Sequence, residues 1–307
     1  MGFRVLASDP LDPNAVAAMR EAGLEVDEKT DLTPEQLNAA IGDYDAIVIR
    51  SATKVRADVI DAGARLKLVV RAGVGLDNVD VAYAEEKGVT VRNTPAASSN
   101  SVAELALGHI LSLVRHIARG TVSMKAGQWE KKQLKGVEIA GKTLGIVGIG
   151  RIGQLLAQKA AALGMSVLCS DAFLTESPLP GIATMVSLEE LLARADVISL
   201  HIPFDPKTGA TIAGPQFAQM KDGVYLINCA RGGVVDEDAL VEALNAGKVA
   251  GAALDVFASE PPNGEHPIFG CANVSFTPHI GASTVEAQQR VGEEAASIVI
   301  EFAESSH

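Results

Sequence analysis

Cysteine is scarce in this sequence, and its placement shows no pairing pattern. The 307 residues include three cysteines, Cys169, Cys229 and Cys271, which lie far apart and form no C-x-x-C pair. Neither a disulfide framework nor a zinc site follows from them, and we predict no metal site. We expect a reduced, cytoplasmic compartment.

Membrane segments and positive charge are lacking as well. The most apolar long stretch, residues 102–118, contains Glu104, His109, Arg115 and His116, too many polar groups for a bilayer span. The formal net charge is −12, which argues against a nucleic-acid binder because phosphate contacts need a basic face. Small anions are not excluded, since a local group of Arg and Lys side chains can outweigh the net charge.

The sequence does contain a regular alternation of short β-branched runs and amphipathic stretches. Short apolar strands between helices are typical of parallel sheets covered on both faces. At roughly 150 residues per domain, the length predicts two domains. The strands are predicted at residues 4–7, 25–27, 46–49, 68–71, 90–92, 143–147, 166–169, 197–200, 225–228, 250–254 and 274–276.

Two proline-marked crossings, at residues 93–95 and 277–279, flank the second series of strands. We interpret them as paired hinges. The predicted fold class is α/β, with two doubly wound parallel-sheet (Rossmann-like) domains, one inserted into the other. The outer domain comprises residues 1–94 and 279–307, and the inserted domain comprises residues 95–278.

Two long helices accompany this plan. The second, at residues 284–302, returns to the outer domain. The first, at residues 101–119, is too apolar for a freely solvated helix. We therefore expect it to support a homodimer or tetramer through the inserted domain.

A glycine motif, Gly148-Ile149-Gly150-Arg151-Ile152-Gly153, follows the strand at 143–147 and opens a helical stretch. Glycines there permit a tight turn and close backbone approach to a pyrophosphate, which the helix N-terminus attracts. The next strand leads to Asp171, near the expected position of the ribose-binding acid, and residues 172–174 carry no cation. We predict NAD rather than NADP. The alternative is that the glycines only pack the turn and that Asp171 caps a loop.

A second glycine-rich loop, residues 73–78, also follows a strand. It has Asn78 where a third glycine would pack, and no acid follows at a strand end. It is a poor dinucleotide site, but its N–H groups could bind a substrate carboxylate. A plain tight turn is the alternative.

Three polar residues follow predicted strands of the inserted domain: Arg231, Glu260 and His279. The carboxyl ends of parallel strands border the ligand crevice, so these side chains could converge. His279 suits proton transfer, Glu260 could orient its ring, and Arg231 offers a planar fork for a carboxylate. Taken singly, each could instead be a solvated charge or a structural histidine. His109 and His201 are interpreted as structural.

Several segments, in the same order, closely resemble the D-2-hydroxyacid dehydrogenase family and, within it, the phosphoglycerate dehydrogenases. They are residues 50–55, 71–80, 141–145, 148–153, 228–233, 255–262 and 278–284. The resemblance covers essentially the whole chain. It implies that the inserted domain binds NAD, that the outer domain binds substrate, and that His279, Glu260 and Arg231 form the catalytic trio.

The resemblance also implies binding residues. Contacts to NAD beyond the motif glycines and Asp171 fall on Arg151, Ile152, Ile202, Pro203, Cys229, Ala230, Asp255 and Val74. The substrate side falls on Arg50, Ser51, Arg71, Gly73, Val74, Gly75, Asn78 and Lys131, with Arg50, Arg71 and Lys131 matching phosphate-side cations. Val74 stands where relatives often have Thr, which puts one polar contact in doubt.

The function implied is NAD-dependent oxidation of 3-phospho-D-glycerate to 3-phosphooxypyruvate, the first step of serine biosynthesis. A glyoxylate or hydroxypyruvate reductase on the same scaffold is the runner-up. A remote alternative is an NAD-sensing corepressor-like binding protein. Because the chain ends at His307, we expect no C-terminal regulatory domain and no serine feedback through one.

Overall fold

The computed structural model describes residues 2–306, which divide into two compact units. The first unit runs to Ser99 and resumes at Ala282, and the second comprises residues 100–281. Both divisions fall a few residues after the predicted crossings. A helix begins at Ser99, and the backbone N–H of His279 is bonded to Asp255. Residues 279–281 therefore lie in the second unit rather than in the outer domain.

The first unit contains one parallel five-stranded sheet in the order β2-β1-β3-β4-β5. This is a doubly wound order whose switch point lies between β1 and β3. The strands are β1 (Arg4–Ala7), β2 (Glu25–Glu28), β3 (Ala46–Ile49), β4 (Leu68–Arg71) and β5 (Thr90–Asn93). The helices of this unit are α1 (Pro13–Glu21), α2 (Pro34–Ala40), α3 (Ala57–Ala62), α4 (Val81–Glu86) and α11 (Val285–Ser305).

Both faces of this sheet are covered. Val5 and Val48 point to one hydrophobic cluster, and Leu6, Ile47 and Ile49 point to the other. Consecutive strand residues face opposite sides, so a sheet covered by helices on both sides needs continuous apolar strands. Each such side chain contributes about 2 kcal/mol when fully buried.

The second unit contains a parallel seven-stranded sheet in the order β12-β11-β10-β9-β6-β7-β8. Its switch point lies between β6 and β9. The strands are β6 (Thr143–Val147), β7 (Ser166–Ser170), β8 (Ala183–Met185), β9 (Val197–Leu200), β10 (Val224–Asn228), β11 (Val249–Leu254) and β12 (Val274–Phe276). The helices are α5 (Ser99–Val114), α6 (Ile117–Lys125), α7 (Arg151–Ala162), α8 (Leu188–Arg194), α9 (Gly214–Gln219) and α10 (Glu237–Asn245).

The predicted helix at residues 101–119 is interrupted. His116 has a φ of +54°, a left-handed conformation that a right-handed helix cannot continue. The chain therefore bends by 64° between α5 and α6. No single helix among the described residues is long and apolar enough to cross a membrane, although the bent α5–α6 pair passes by length and composition alone.

Candidate active site

The glycine motif forms the turn between β6 and α7. Gly148 has a φ of +90°, and a Cβ there would lie 2.5 Å from the carbonyl oxygen of His201. A Cβ on Gly153 would overlap the carbonyl oxygen of Gly148, whereas one on Gly150 would meet nothing within 4 Å. The turn is therefore packed against the sheet at its first and third glycines and open at its second.

The open side of this turn offers the donors that a pyrophosphate needs. Helix α7 begins at Arg151, and Gly150, its N-cap, makes no side-chain bond to the N–H groups of the first turn. Such groups bind anions. Arg151 and Ile152, the predicted pyrophosphate contacts, are the first residues of this helix. The turn fits the diphosphate of NAD.

Asp171 follows β7 and lies against this turn. Its Oδ2 accepts from the N–H of Ile149 at 3.0 Å, and its Oδ1 accepts from the N–H of Phe173 at 2.9 Å. Each carboxylate oxygen has two acceptor positions, so each can also accept from a ribose hydroxyl. The arrangement fits the ribose of NAD, and no cation among residues 172–174 would hold a 2′-phosphate.

The residues predicted to contact NAD after the other strands differ in solvent exposure. Ile202 is half-buried and Pro203 is exposed, shortly after β9. Cys229 and Ala230 follow β10 and are buried. Burial, together with the nearby Asp255 carboxylate, raises the pKa of the Cys229 thiol. This thiol therefore stays protonated and can contribute packing rather than nucleophilic chemistry.

His279 and Glu260 form a hydrogen-bonded pair. Nδ1 of His279 lies 2.6 Å from Oε2 of Glu260, and the other carboxylate oxygen accepts from the N–H of Phe257 at 3.1 Å. An ionised carboxylate only accepts, so Nδ1 carries the proton and Nε2 is the ring atom left for exchange with a ligand. Both side chains are partly exposed.

Asp255 holds the turn that carries His279. The N–H of His279 donates to the Asp255 carbonyl oxygen at 2.8 Å. The carboxylate accepts from the Thr277 hydroxyl at 2.6 Å and from the N–H groups of Ile280 and Gly281 at 2.8 and 2.9 Å. The contact of Asp255 with the nicotinamide carboxamide stays a prediction. The structure adds a second role for Asp255, which is to hold the turn that carries His279.

Arg231 lies on a tightly fixed turn after β10. Asn228 accepts from the N–H of Ala230 at 3.1 Å and donates to the Arg231 carbonyl oxygen at 3.0 Å. A Cβ on Gly232 would overlap the carbonyl oxygen of Phe257, so only glycine lets this turn approach the one after β11. Asn228 was not singled out from the sequence, although it ends a predicted strand.

The trio follows three consecutive parallel strands whose ends are in register. Asn228 of β10 pairs with Leu254 of β11, which pairs with Phe276 of β12. Arg231, Glu260 and His279 therefore all lie beyond the carboxyl edge of one sheet, in the second unit. Their catalytic roles stay a prediction.

In the first unit, the loop at residues 50–53 is held from two sides. Oδ2 of Asp9 accepts from the N–H groups of Arg50 and Thr53 at 2.5 and 3.2 Å, and Oδ1 accepts from the Thr53 hydroxyl at 3.0 Å. From the other side, Nδ2 of Asn78 donates to the carbonyl oxygens of Arg50 and Thr53, both at 2.6 Å. Asn78 thus acts on this loop through both amide hydrogens.

Asp9 was missed by the sequence reasoning. It is buried and follows β1, while Arg50 follows β3. These strands flank the switch point of the first sheet, where doubly wound proteins bind ligands. A polar residue within three positions of a strand end is the pattern that indicates Arg231, and the same pattern after β1 indicates Asp9.

Arg71 ends β4 and pairs with Ile49 in β3, so it lies one register position from Arg50. A Cβ on Gly73, whose φ is +146°, would overlap a guanidinium nitrogen of Arg71. The guanidinium therefore lies against the glycine-rich loop. The carbonyl oxygen of Val74 in that loop accepts from Nδ2 of Asn93 at 2.6 Å.

The remaining predicted substrate residues differ in position. Gly75 is half-buried in the 73–78 loop, and Ser51 is exposed beside Arg50. Lys131 is exposed in the segment that follows α6, in the second unit. Across residues 2–306, no group of three or more His, Cys, Asp or Glu side chains is placed to hold a metal ion.

Comparison with known proteins gives relatives along the whole chain. Residues 107–281 match the family described as D-isomer specific 2-hydroxyacid dehydrogenase, NAD binding domain. The chain is 50% identical over 293 residues to a hydroxypyruvate reductase of Thermotoga maritima, covering 94% of this chain and 95% of that protein. It is 47% identical over 291 residues to a D-3-phosphoglycerate dehydrogenase of Methanocaldococcus jannaschii, covering 94% of this chain and 55% of that protein.

The chain thus spans about half the length of the phosphoglycerate dehydrogenase that it matches. Among solved structures, it is similar to D-lactate dehydrogenase from Aquifex aeolicus complexed with NAD and lactic acid. The TM-score is 0.86 at 33% identity, over 98% of this chain and 96% of the other.

Proposed function

The chain belongs to the D-isomer specific 2-hydroxyacid dehydrogenase family and uses NAD, and we propose that it oxidises 3-phospho-D-glycerate to 3-phosphooxypyruvate, the first step of serine biosynthesis. The observation that carries the choice of substrate is the pair of arginines, Arg50 and Arg71, at the ends of adjacent strands. Two guanidinium groups there can hold a phosphate in addition to the carboxylate of a 2-hydroxy acid.

The reaction needs a group that takes the hydroxyl proton and a cation that holds the carboxylate. The β6–α7 turn and Asp171 would hold NAD, which would supply the hydride acceptor for the substrate carbon. Nε2 of His279 takes the proton, and the carboxylate of Glu260, 2.6 Å from Nδ1, stabilises the imidazolium that results. Arg231 holds the substrate carboxylate through its planar guanidinium.

The substrate assignment is tested by steady-state kinetics with 3-phospho-D-glycerate and D-glycerate, followed by NADH absorbance. We expect a clear preference in kcat/KM for the phosphorylated acid. Replacement of the partly exposed Arg50 by Gln should lower kcat/KM for it by about tenfold to a hundredfold, the worth of one charge-assisted hydrogen bond. The matched control, Arg92→Gln on β5, should keep the wild-type value. Equal kcat/KM for both acids contradicts the assignment.

A second candidate is reduction of hydroxypyruvate or glyoxylate. The relative that supports it, the hydroxypyruvate reductase, matches this chain over 95% of its own length. His279 would then supply a proton to the carbonyl oxygen rather than take one. Kinetics with hydroxypyruvate and glyoxylate in the presence of NADH distinguish the two candidates: a preference for hydroxypyruvate that Arg50→Gln leaves unchanged favours the reductase.

We also propose that the protein forms a homodimer through its second unit. The support is a group of apolar side chains exposed on and after α6, namely Ile117, Val122, Met124 and Trp129. The apolar residues of α5 do not support it, because Ala103, Ala106 and Ile110 are buried within the unit. We expect a dimeric mass by light scattering, and a smaller mass for Val122→Glu. A monomeric wild type contradicts the proposal.

A further inference from the structure

A chain of buried polar groups runs beneath the turn that carries His279. Its first member is His109, which lies on α5 and is 4% exposed. Nδ1 of His109 lies 3.2 Å from the Ser275 hydroxyl in β12, and Nε2 lies 3.1 Å from the Thr277 hydroxyl. The Thr277 hydroxyl is in turn 2.6 Å from Oδ1 of Asp255, which has no exposed surface.

The donors and acceptors in this chain can be assigned. Both carboxylate oxygens of Asp255 accept backbone N–H groups, as expected of an ionised carboxylate, so the Thr277 hydroxyl donates its only hydrogen to Asp255. Thr277 must then accept from Nε2–H of His109. Burial lowers the pKa of His109, so the ring is neutral, Nδ1 is bare, and it accepts from Ser275.

Asp255, the last member of this series of hydrogen-bonded groups, fixes the backbone around His279. Asp255 accepts from the N–H groups of residues 279, 280 and 281 through its carbonyl and carboxylate oxygens. His279 itself has a φ of +52°, a conformation that a non-glycine residue keeps only when its surroundings impose it. Space is tight as well, since a Cβ on Gly281 would lie 3.1 Å from Oδ2 of Asp255 and 3.3 Å from Val102.

We propose that His109 is a positioning residue for His279, acting through Thr277 and Asp255. Its Nε2–H orients the Thr277 hydroxyl toward Asp255, and Asp255 holds the left-handed turn that aims the His279 ring. The inference rests on the proposed role of His279 in proton transfer. It assigns a task to a histidine that the sequence reasoning interpreted as structural.

The first test compares isosteric and conservative variants at one position. Thr277→Val keeps the shape and removes the hydroxyl, and Thr277→Ser restores it. We expect Thr277→Val to lower kcat by about tenfold to a hundredfold, the effect of misplacing a reacting group, with KM for substrate and Kd for NADH nearly unchanged. Thr277→Ser should recover most of kcat, and the control Ser123→Ala, at a buried hydroxyl of α6, should match wild type.

The same comparison is made at His109, the first member of this series of hydrogen-bonded groups. His109→Gln places an amide N–H near the position of Nε2–H and should retain much of kcat, whereas His109→Leu should lose it as Thr277→Val does. Wild-type kcat in folded Thr277→Val or His109→Leu overturns the proposal. Loss of NADH binding in parallel with kcat also overturns it, because that result indicates a general structural role.

A second measurement does not depend on turnover. Ring ¹⁵N–¹H NMR of the wild-type protein, with the His109 signal identified by its loss in His109→Gln, should show the Nε2–H tautomer. The Nδ1–H tautomer overturns the proposed hydrogen bonds whatever turnover the variants show. Absence of wild-type turnover on every 2-hydroxy and 2-oxo acid overturns the proposed function instead, so the two failures are distinguishable.

Discussion

At the scale of single residues, His279 and Glu260 form a pair 2.6 Å apart that is distinct from the turn predicted to bind the cofactor. The turn that fits the diphosphate follows β6, whereas His279 follows β12. Replacing His279 by Gln should therefore lower kcat by about 10²- to 10⁴-fold, the usual contribution of a positioned acid–base group. NADH affinity, measured by fluorescence titration, should change little.

The matched control is His116→Asn, which alters a histidine on the turn between α5 and α6. Asparagine tolerates the left-handed conformation found there, so kcat should match wild type. A near-normal kcat for His279→Gln contradicts the proton-transfer role.

We expect Asp171 to govern the choice between NAD and NADP by its charge. Its two oxygens accept backbone N–H groups and retain acceptor positions for ribose, while the negative charge repels a 2′-phosphate. Asp171→Asn keeps the size of the side chain and removes the charge. We expect the ratio of kcat/KM for NAD over NADP to fall by about tenfold or more, since charged hydrogen bonds are worth about 1.5–3 kcal/mol.

Glu176→Gln, at an exposed acid five residues further on, serves as the control and should leave that cofactor ratio unchanged. The same ratio in Asp171→Asn as in wild type argues against a ribose contact.

At the scale of elements, the 50–53 loop of the first unit depends on Asp9 for its shape. Asp9→Ala would remove the acceptor of the Arg50 and Thr53 N–H groups and leave these donors unpaired. The loop carries Arg50, so KM for the substrate should rise while Kd for NADH stays the same. Asp12→Asn is the control, because Asp12 caps α1 and Asn caps helices equally well. An unchanged KM in Asp9→Ala contradicts a substrate role for this loop.

Strands were predictable because the fold makes them continuous apolar runs. All eleven predicted strands are present with ends shifted by a residue at most, as for β10, which begins at Val224 rather than Tyr225. The twelfth, β8, was missed because Ala183 and Met185 are weak strand formers. The equally short edge strand β12 was predicted because it contains Val274 and Phe276, which favour strands.

Helix 101–119 shows where local pattern is insufficient. Its apolar residues predict a continuous helix, yet the chain turns at His116, whose left-handed φ has no signature in the sequence. In the candidate site, too, local sequence patterns indicate some residues and miss others. Arg231, Glu260 and His279 could be proposed because they follow strands, but the contacts of Asp9, Asn228 and His109 depend on tertiary pairing between distant segments.

At the scale of the whole molecule, both sheets are parallel and doubly wound, but they differ in the number of strands. The first has the order 2-1-3-4-5, and the second extends a six-stranded doubly wound order by one strand, β12. That added strand leads directly to Thr277 and His279. The doubly wound plan alone therefore accounts for the turn that fits NAD, whereas the position of His279, the predicted proton-transfer group, depends on β12.

Acidification should destabilise both units. Burial opposes ionisation of Asp45, but bonds from the Arg4 N–H, Arg65 and Lys67 outweigh it and hold its pKa below the usual value. A carboxylate with a lowered pKa stabilises the fold above its unfolded pKa, and that contribution is lost as the pH falls through the folded value. On this basis alone, stability would persist down to about pH 4.

His201, which is half-buried after β9, moves the onset of this loss to higher pH. Burial lowers the pKa of His201 to about 4, so the folded state keeps the ring neutral while the unfolded chain takes up a proton below about pH 6.5. Stability should therefore already fall between pH 6.5 and 4, by up to about 1.4 kcal/mol per pH unit from this one proton. Urea unfolding followed by circular dichroism should show a shallower pH slope for His201→Gln in that window and the wild-type slope above pH 7.5. Equal slopes below pH 6.5 would show that His201 is not held neutral.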